Sequence, residues 1–429
     1  MKLIIAFALL LLSTSAVLGQ LAKTNITKDS FALAPKAIID TSQSGDKLFA
    51  DAFVETLFYS AGDTADTLYI WLINWDFESN ATKSIIKRAI DASTLEKKGD
   101  DATLDLQLKS KLGLAGHSGI GYIGFVLIRD DGKDTADQLY FTILPNSATS
   151  DTKPVEVKLT DNSDKGTGFF VNQFWFQDGY FYVMYTEIEL ETGFEEALNL
   201  QAIKAEDGSL LFKETVKVAS LNSPLGFAMP VAGADSPKDA KLIYIAYKVN
   251  DTDKLTVMQT TVDISNGKVD EPTKLVADEE TVRYFPHDVI TADTVFGIVV
   301  ARQELKGEDD ILQSLNVYYN GTTSKPQLLK IKHPEDYKNP SILSFNYNNG
   351  FIVLATYSTP DNALVEMKGF NSDGSEQFAE KRLLYTQTVV KYFKDASGGV
   401  WLGYNDFDVE TGKILKSYLG KVIALKDNK

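Results

Sequence analysis

Gly168–Gln177 (GFFVNQFWFQ), Tyr180–Leu190 (YFYVMYTEIEL), Ala197–Glu206 (ALNLQAIKAE) and Ser209–Val218 (SLLFKETVKV) follow one another with only short polar breaks. Each run is of strand length and rich in β-branched and aromatic residues. Asp178-Gly179 and Asp207-Gly208 lie in two of the breaks. Glycine takes the positive φ of a tight turn and Asp tolerates it, so both dipeptides are hairpin signals. The stretch reads as one four-stranded antiparallel unit.

The same pattern extends in both directions. Runs like the second strand recur roughly every 50–60 residues: Thr67–Trp75, Tyr122–Asp130, Tyr180–Ile188, Lys241–Lys248, Thr294–Arg302, Phe351–Ser358 and Val400–Phe407. Further turn dipeptides, among them Asp131-Gly132, Asn266-Gly267, Asn320-Gly321, Asn349-Gly350 and Asp373-Gly374, flank them. Helical periodicity is nearly absent; Thr82–Lys98 is the one ambiguous stretch, and strands are expected there. A repeat of this length, with several strands per unit, is the signature of a β-propeller. Units fall at about 48–110, 113–160, 168–218, 225–276, 282–331, 340–386 and 388–425.

The last unit offers three strands only: Thr388–Lys394, Val400–Asp408 and Ile414–Leu425. Phe31–Asp40 (FALAPKAIID) has no partner of its own. Pairing it as the fourth strand of the last unit closes the ring and removes an exposed edge. The expected fold is therefore all-β, a single seven-bladed propeller closed by an N-terminal strand. Two tandem β-sandwiches are the alternative, but no Pro-, Gly- or Ser-rich linker divides the chain.

MKLIIAFALLLLSTSAVLGQ has one Lys, an apolar core over Leu3–Leu12, and Val17 and Gly19 suited to a cleavage site. Residues 1–19 read as a secretory leader, too short for a comfortable membrane span. The chain has no Cys, which excludes thiol chemistry and Cys-bound metals. A large closed ring does not need disulfides to bury its core. The 43 basic against 59 acidic residues, formally −16, oppose nucleic acid and anionic lipid as partners. Asn25, Asn80, Asn250 and Asn320 begin N-x-Thr sequons and are the expected glycosylation sites; Asn339 is followed by Pro and is excluded.

Chemistry-bearing motifs are sparse. Gly119-Ile-Gly121-Tyr-Ile-Gly124 matches GxGxxG but precedes a strand rather than a helix, so the glycines read as packing and turn residues. Gly116-His117-Ser118-Gly119 misses the GxSxG elbow, with Ile120 where Gly is required. His117, His287 and His333 fall in separate units without metal-ligand spacing. In Arg283-Tyr284-Phe-Pro-His287-Asp288, His287 is the best acid–base candidate, with Asp288, Arg283 and Tyr284 beside it. Asp161 and Asp164 lie in an oxygen-rich turn and are weak calcium candidates, lacking a full ligand set; no other cofactor is expected. In Asn162–Phe169 that turn partly resembles the Asp-box of sialidase-type propellers, itself a structural turn. Asn162 and Gly168 depart from the pattern. Phe174-Trp175-Phe176 alternates its aromatics across a strand, and inter-blade packing is their expected use.

Two functions fit. The first is a secreted, glycosylated binding or structural propeller presenting its loops to a protein or glycan. The alternative is an extracellular hydrolase or lyase acting on carbohydrates or esters at the central cleft, where carboxylates from different blades meet.

Overall fold

The computed structural model describes residues 36–421, apart from 51, 53–55, 63, 77–80, 106–111, 120, 131–135, 225, 236–241, 252–253, 293–294, 307–308, 320–326, 331–340, 348–349, 359–362, 372–374, 385–390, 396–398 and 409. The leader, Asn25, Asn80, Asn320 and His333 lie outside the described residues, as does the side chain of His117.

The chain is a seven-bladed β-propeller: seven small antiparallel sheets arranged in a ring. The innermost strands, in blade order, are Leu57–Ala61, Leu112–Gly119, Thr167–Gln177, Val231–Asp235, Val282–Ala292, Ser341–Tyr347 and Lys391–Lys394. The ambiguous stretch is the strand Ala81–Asp91, as expected. In blade 3 the fourth strand is Val216–Pro224 rather than Ser209–Val218. After the tight turn at Gly208 (φ +74°), Ser209 is held by Asp207, Leu210 makes one isolated bridge to Ile203, and the continuous ladder begins at Val216.

Alternation sends successive side chains to opposite faces, and both faces of a blade are buried against neighbours. Phe174 and Phe181 pack toward blade 2 with Phe141, while Tyr182, Met184 and Leu200 pack toward blade 4 with Ala232 and Ile245. Trp175 lies on the second face, stacked on Tyr182 at 5.3 Å. The GxGxxG glycines are structural: Gly121 sits in a hairpin at φ +79°, and a Cβ on Gly124 would lie 2.3 Å from the Phe141 ring.

Lys36–Asp40 pairs antiparallel with Ile414–Lys421 as the outermost strand of blade 7, so the N-terminal segment closes the ring. Its grip is reinforced by Arg88 of blade 1, which is 1% exposed. The guanidinium makes a two-pronged contact with Asp101, 2.9 Å on each prong, and reaches Asp46 at 2.5 Å. It also donates to the carbonyls of Ile38 and Gly45, just inside and just after the closing strand, and lies over the Phe49 ring.

Candidate functional site

The inner strands surround the axis, each with one edge unpaired by its own sheet. Three of them carry a bulge at matching places. In blade 3, Val171 pairs with Tyr185 and Gln173 with Met184, leaving Asn172 as the extra residue. In blade 5, Pro286 pairs with Val300 and Asp288 with Val299, leaving His287 as the extra residue. Blade 2 has the same irregularity at Leu114. Bulges re-aim side chains and cluster near functional sites. Pro286 fits there because a proline lacks the ladder donor and belongs at an edge or bulge.

Aligning the bulges matches Gln173 with Asp288, and both tie their blade to the next. Gln173 Oε1 accepts the Ala232 N–H at 2.7 Å. Asp288 accepts the Ser344 hydroxyl of blade 6 and its own Val289 N–H at 2.8 Å. Blade 3 does with a neutral amide what blade 5 does with an ionisable carboxyl. Burial pushes Asp288 up to about 6, against the lowering by Ser344 and Val289. Burial alone pushes His287 down to about 4, so its imidazole is neutral at physiological pH.

Tyr392, on the inner strand of blade 7, is 42% exposed. Burial nevertheless raises its hydroxyl, and the negative charge of Asp288 raises it further. A side chain that reaches water yet sits among enclosing protein atoms is what a channel lining requires. His287, Asp288, Ser344 and Tyr392 thus come from blades 5, 6 and 7 to one part of the axis. Ser344, Tyr392 and Asn172 escaped the sequence reading. The proline inside the blade 5 strand was the one local signal of a bulge.

The other two candidates face elsewhere. Tyr284 packs toward blade 4, with its N–H on Asp278 at 2.8 Å and its hydroxyl on Glu279 at 3.0 Å. Arg283 lies 3.3 Å from Asp278, which also pairs with the fully buried Lys248 at 3.0 Å. These residues build a charged clasp between blades 4 and 5 near the start of the inner strand, not the Asp288 cluster. The Asp161–Asp164 turn is closed on itself. Asp164 accepts the Gly166 N–H at 2.8 Å, Asn162 donates to the Asp164 and Thr167 carbonyls, and Asp161 points to solvent beside Lys158. No group of three or more His, Asp or Glu able to hold a metal occurs among the described residues. Asn250 is exposed at the end of the strand Leu242–Asp251.

The face where the inner strands begin carries a second feature, at the seam of blades 3 and 4. Phe170, Leu190, Phe227 and Met229 are exposed there. Beneath them the buried Glu195 carboxylate accepts the Ala228 N–H at 2.8 Å and the Gly226 N–H, holding these two residues ahead of the inner strand of blade 4. Burial outweighs these two hydrogen bonds and pushes Glu195 up to about 7. A raised folded pKa stabilises below the unfolded value of 4.5, and this contribution is lost as pH rises through 7. Glu195→Gln is therefore expected to flatten the fall in urea midpoint that the parent shows from pH 4.5 to 7. An unchanged pH profile in the variant would remove Glu195 as its cause.

Fold and channel together define a propeller with a polar, titratable axis. No family model matches the chain, and no curated protein matches it. Solved structures share the fold. A polysaccharide lyase, an ulvan lyase bound to a GlcA–Rha saccharide, is 12% identical with a TM-score of 0.51, covering 87% of this chain and 95% of that one. The α-L-arabinofuranosidase of Fusarium graminearum with arabinobiose is 11% identical (TM-score 0.49; 73% and 93% covered). The α-L-arabinanase of Penicillium chrysogenum is 10% identical (TM-score 0.47; 72% and 94% covered). These neighbours are carbohydrate-active proteins, and the likeness to the ulvan lyase is one of fold. No helix among the described residues is long and apolar enough to cross a membrane.

Proposed function

We propose that this is a secreted glycoside hydrolase whose active site is the central channel. The observation that carries the reading is the meeting of Asp288, His287 and Tyr392 from two blades at the axis, with Asp288 poised near pH 6 and His287 held neutral. Asp288, oriented by Ser344, protonates the glycosidic oxygen. His287 takes the proton of the attacking water. The Tyr392 hydroxyl, kept protonated, hydrogen-bonds the sugar. A carboxyl paired with a neutral imidazole departs from the usual pair of carboxylates, so the pH optimum should lie below about 6, where Asp288 carries its proton.

Charge narrows the substrate. Elimination needs a proton made acidic by a neighbouring uronate, hence a polyanionic chain. A protein with a formal charge of −16 repels such a chain. An uncharged glycan, cleaved by hydrolysis, is the better match. The test is a panel of neutral and acidic polysaccharides incubated at pH 4–8 with product analysis. New reducing ends from a neutral glycan are expected. Unsaturated products from an acidic one would turn the reading to a lyase, and no turnover on any would end it.

A second reading, a binding propeller, is favoured by the exposed apolar group Phe170, Leu190, Phe227 and Met229. Solvent-facing apolar clusters mark interaction surfaces. Channel turnover that survives replacement of these four by Ser, with loss of binding to a partner, would assign the two roles to separate places.

A further inference from the structure

We propose that the inner strand of blade 3 is the hydroxyl-binding wall of the channel, with the Trp175 indole N–H, the Gln177 carbonyl and the Asn172 carbonyl as its contacts for an uncharged saccharide. This rests on the reading that the ligand is a carbohydrate, and it assigns the groups that hold it.

Trp175 Nε1, Gln177 Oε1 and Asn172 Oδ1 are each shielded from solvent and have no hydrogen-bond partner among the described residues. All three are on one strand, Thr167–Gln177, and that strand lines the axis. A buried polar atom without a partner costs about 1–3 kcal/mol, so native proteins keep few of them. Three lie on one inner strand, where the neighbouring Gln173 carbonyl is taken up by the Ala232 N–H, and they form a local set.

The atoms themselves state the ligand chemistry. The indole N–H only donates; the two amide carbonyls only accept. A carboxylate or phosphate accepts only, and leaves both carbonyls unserved. An ammonium donates only, and leaves the indole unserved. A hydroxyl does both, and a polyhydroxylated ring serves all three. Trp175 and Gln177 project from the same strand face, about 7 Å apart, the scale of one sugar ring. Trp175 is fixed by its stack on Tyr182, at 10° between the planes. The Gln177 amide nitrogen is turned to Asp178 at 3.5 Å, which leaves the carbonyl as the free end. Asn172 occupies the same bulge position as His287, so the inner strand of blade 3 carries this position at the depth of the acid–base groups on blade 5. A saccharide held on blade 3 presents its linkage to blade 5.

The experiment is calorimetric titration of the full-length protein with neutral oligosaccharides of two to six units, followed in parallel by tryptophan fluorescence. It uses the parent, Trp175→Phe, Gln177→Ala, Asn172→Ala and His287→Ala. Trp175→Phe keeps an aromatic ring against Tyr182 and removes the N–H together with the five-membered ring that carries it; near-ultraviolet dichroism and an unchanged urea midpoint verify the fold of each variant. We expect each of the three wall variants to bind about tenfold more weakly, the loss of one hydrogen bond. His287→Ala is expected to bind like the parent while losing turnover. Unchanged binding in all three wall variants means that ordered water alone fills these contacts, and overturns the proposal. So does a parent that binds no neutral saccharide. Binding that depends on the wall without turnover in the parent keeps this inference and discards the hydrolase.

Discussion

Arg88→Ala is expected to lower the unfolding free energy by about 3–5 kcal/mol, the range for breaking a buried ion pair from one side. The reason is what the variant leaves behind. Asp101 and Asp46 remain in place without the guanidinium that both contact, and the carbonyls of Ile38 and Gly45 lose a donor. The damage falls where the ring closes, between blade 1 and the strand Lys36–Asp40. The variant should therefore unfold at lower urea and expose the edge of Ile414–Lys421, with concentration-dependent association as a second readout. Acid should reproduce part of the effect. Burial raises Asp101, but Arg88 and Lys97 outweigh it and hold the carboxyl below its usual value. Its contribution is present above about pH 4 and lost as pH falls through the depressed folded value. Lys98→Ala, which removes a surface pair with Asp66, is the control and should leave the midpoint unchanged. An Arg88→Ala midpoint equal to that control would show that the latch adds nothing to closure.

Asp288→Asn is expected to reduce turnover by about 10²–10⁴, the usual contribution of a general acid. It should do so without unfolding the protein, because Gln173 shows that an amide suits the matching place in blade 3. The Asn carbonyl still accepts from Ser344 or Val289. The linkage sign sharpens the test. Burial holds Asp288 at about 6, above its ordinary value of 3.8, so its stabilising share is full below 3.8 and gone above 6. Above pH 6 the parent carries a buried charge that Asn lacks. At pH 8 the variant should be at least as stable as the parent, while at pH 5, where the parent's acid carries its proton, the variant's activity is lost. Full activity in Asp288→Asn would remove the acid from the mechanism; loss of both activity and stability would make Asp288 a blade fastener only.

The Asp288 cluster shows why the site was only half legible. His287 and Asp288 stood out because a histidine beside a carboxylate is an acid–base pattern in one dimension. Arg283 and Tyr284 were drawn in by the same nearness, yet strand alternation and the bulge at His287 direct Tyr284 toward blade 4 and Asp288 toward blade 6. Tyr392 is more than a hundred residues from Asp288, and no pattern in either segment announces the other. The unpartnered atoms of Asn172, Trp175 and Gln177 are likewise invisible in the string. Trp175 was rightly read as a packing residue, and its indole N–H acquires meaning only when nothing nearby accepts it.

The sequence by itself determined the architecture. Alternating apolar runs, turn glycines and a repeat of roughly 50–60 residues encode local strands and hairpins, and the lone N-terminal strand opposite a three-stranded last unit determines closure. Those signals are local or count-based, and hydrogen-bond pairing between neighbouring strands converts them directly into sheets. Only the tertiary structure decided which side chains share the axis. In a ring, contacts between blades join residues far apart in the chain, and a single extra residue in an inner strand changes the face that every later side chain presents.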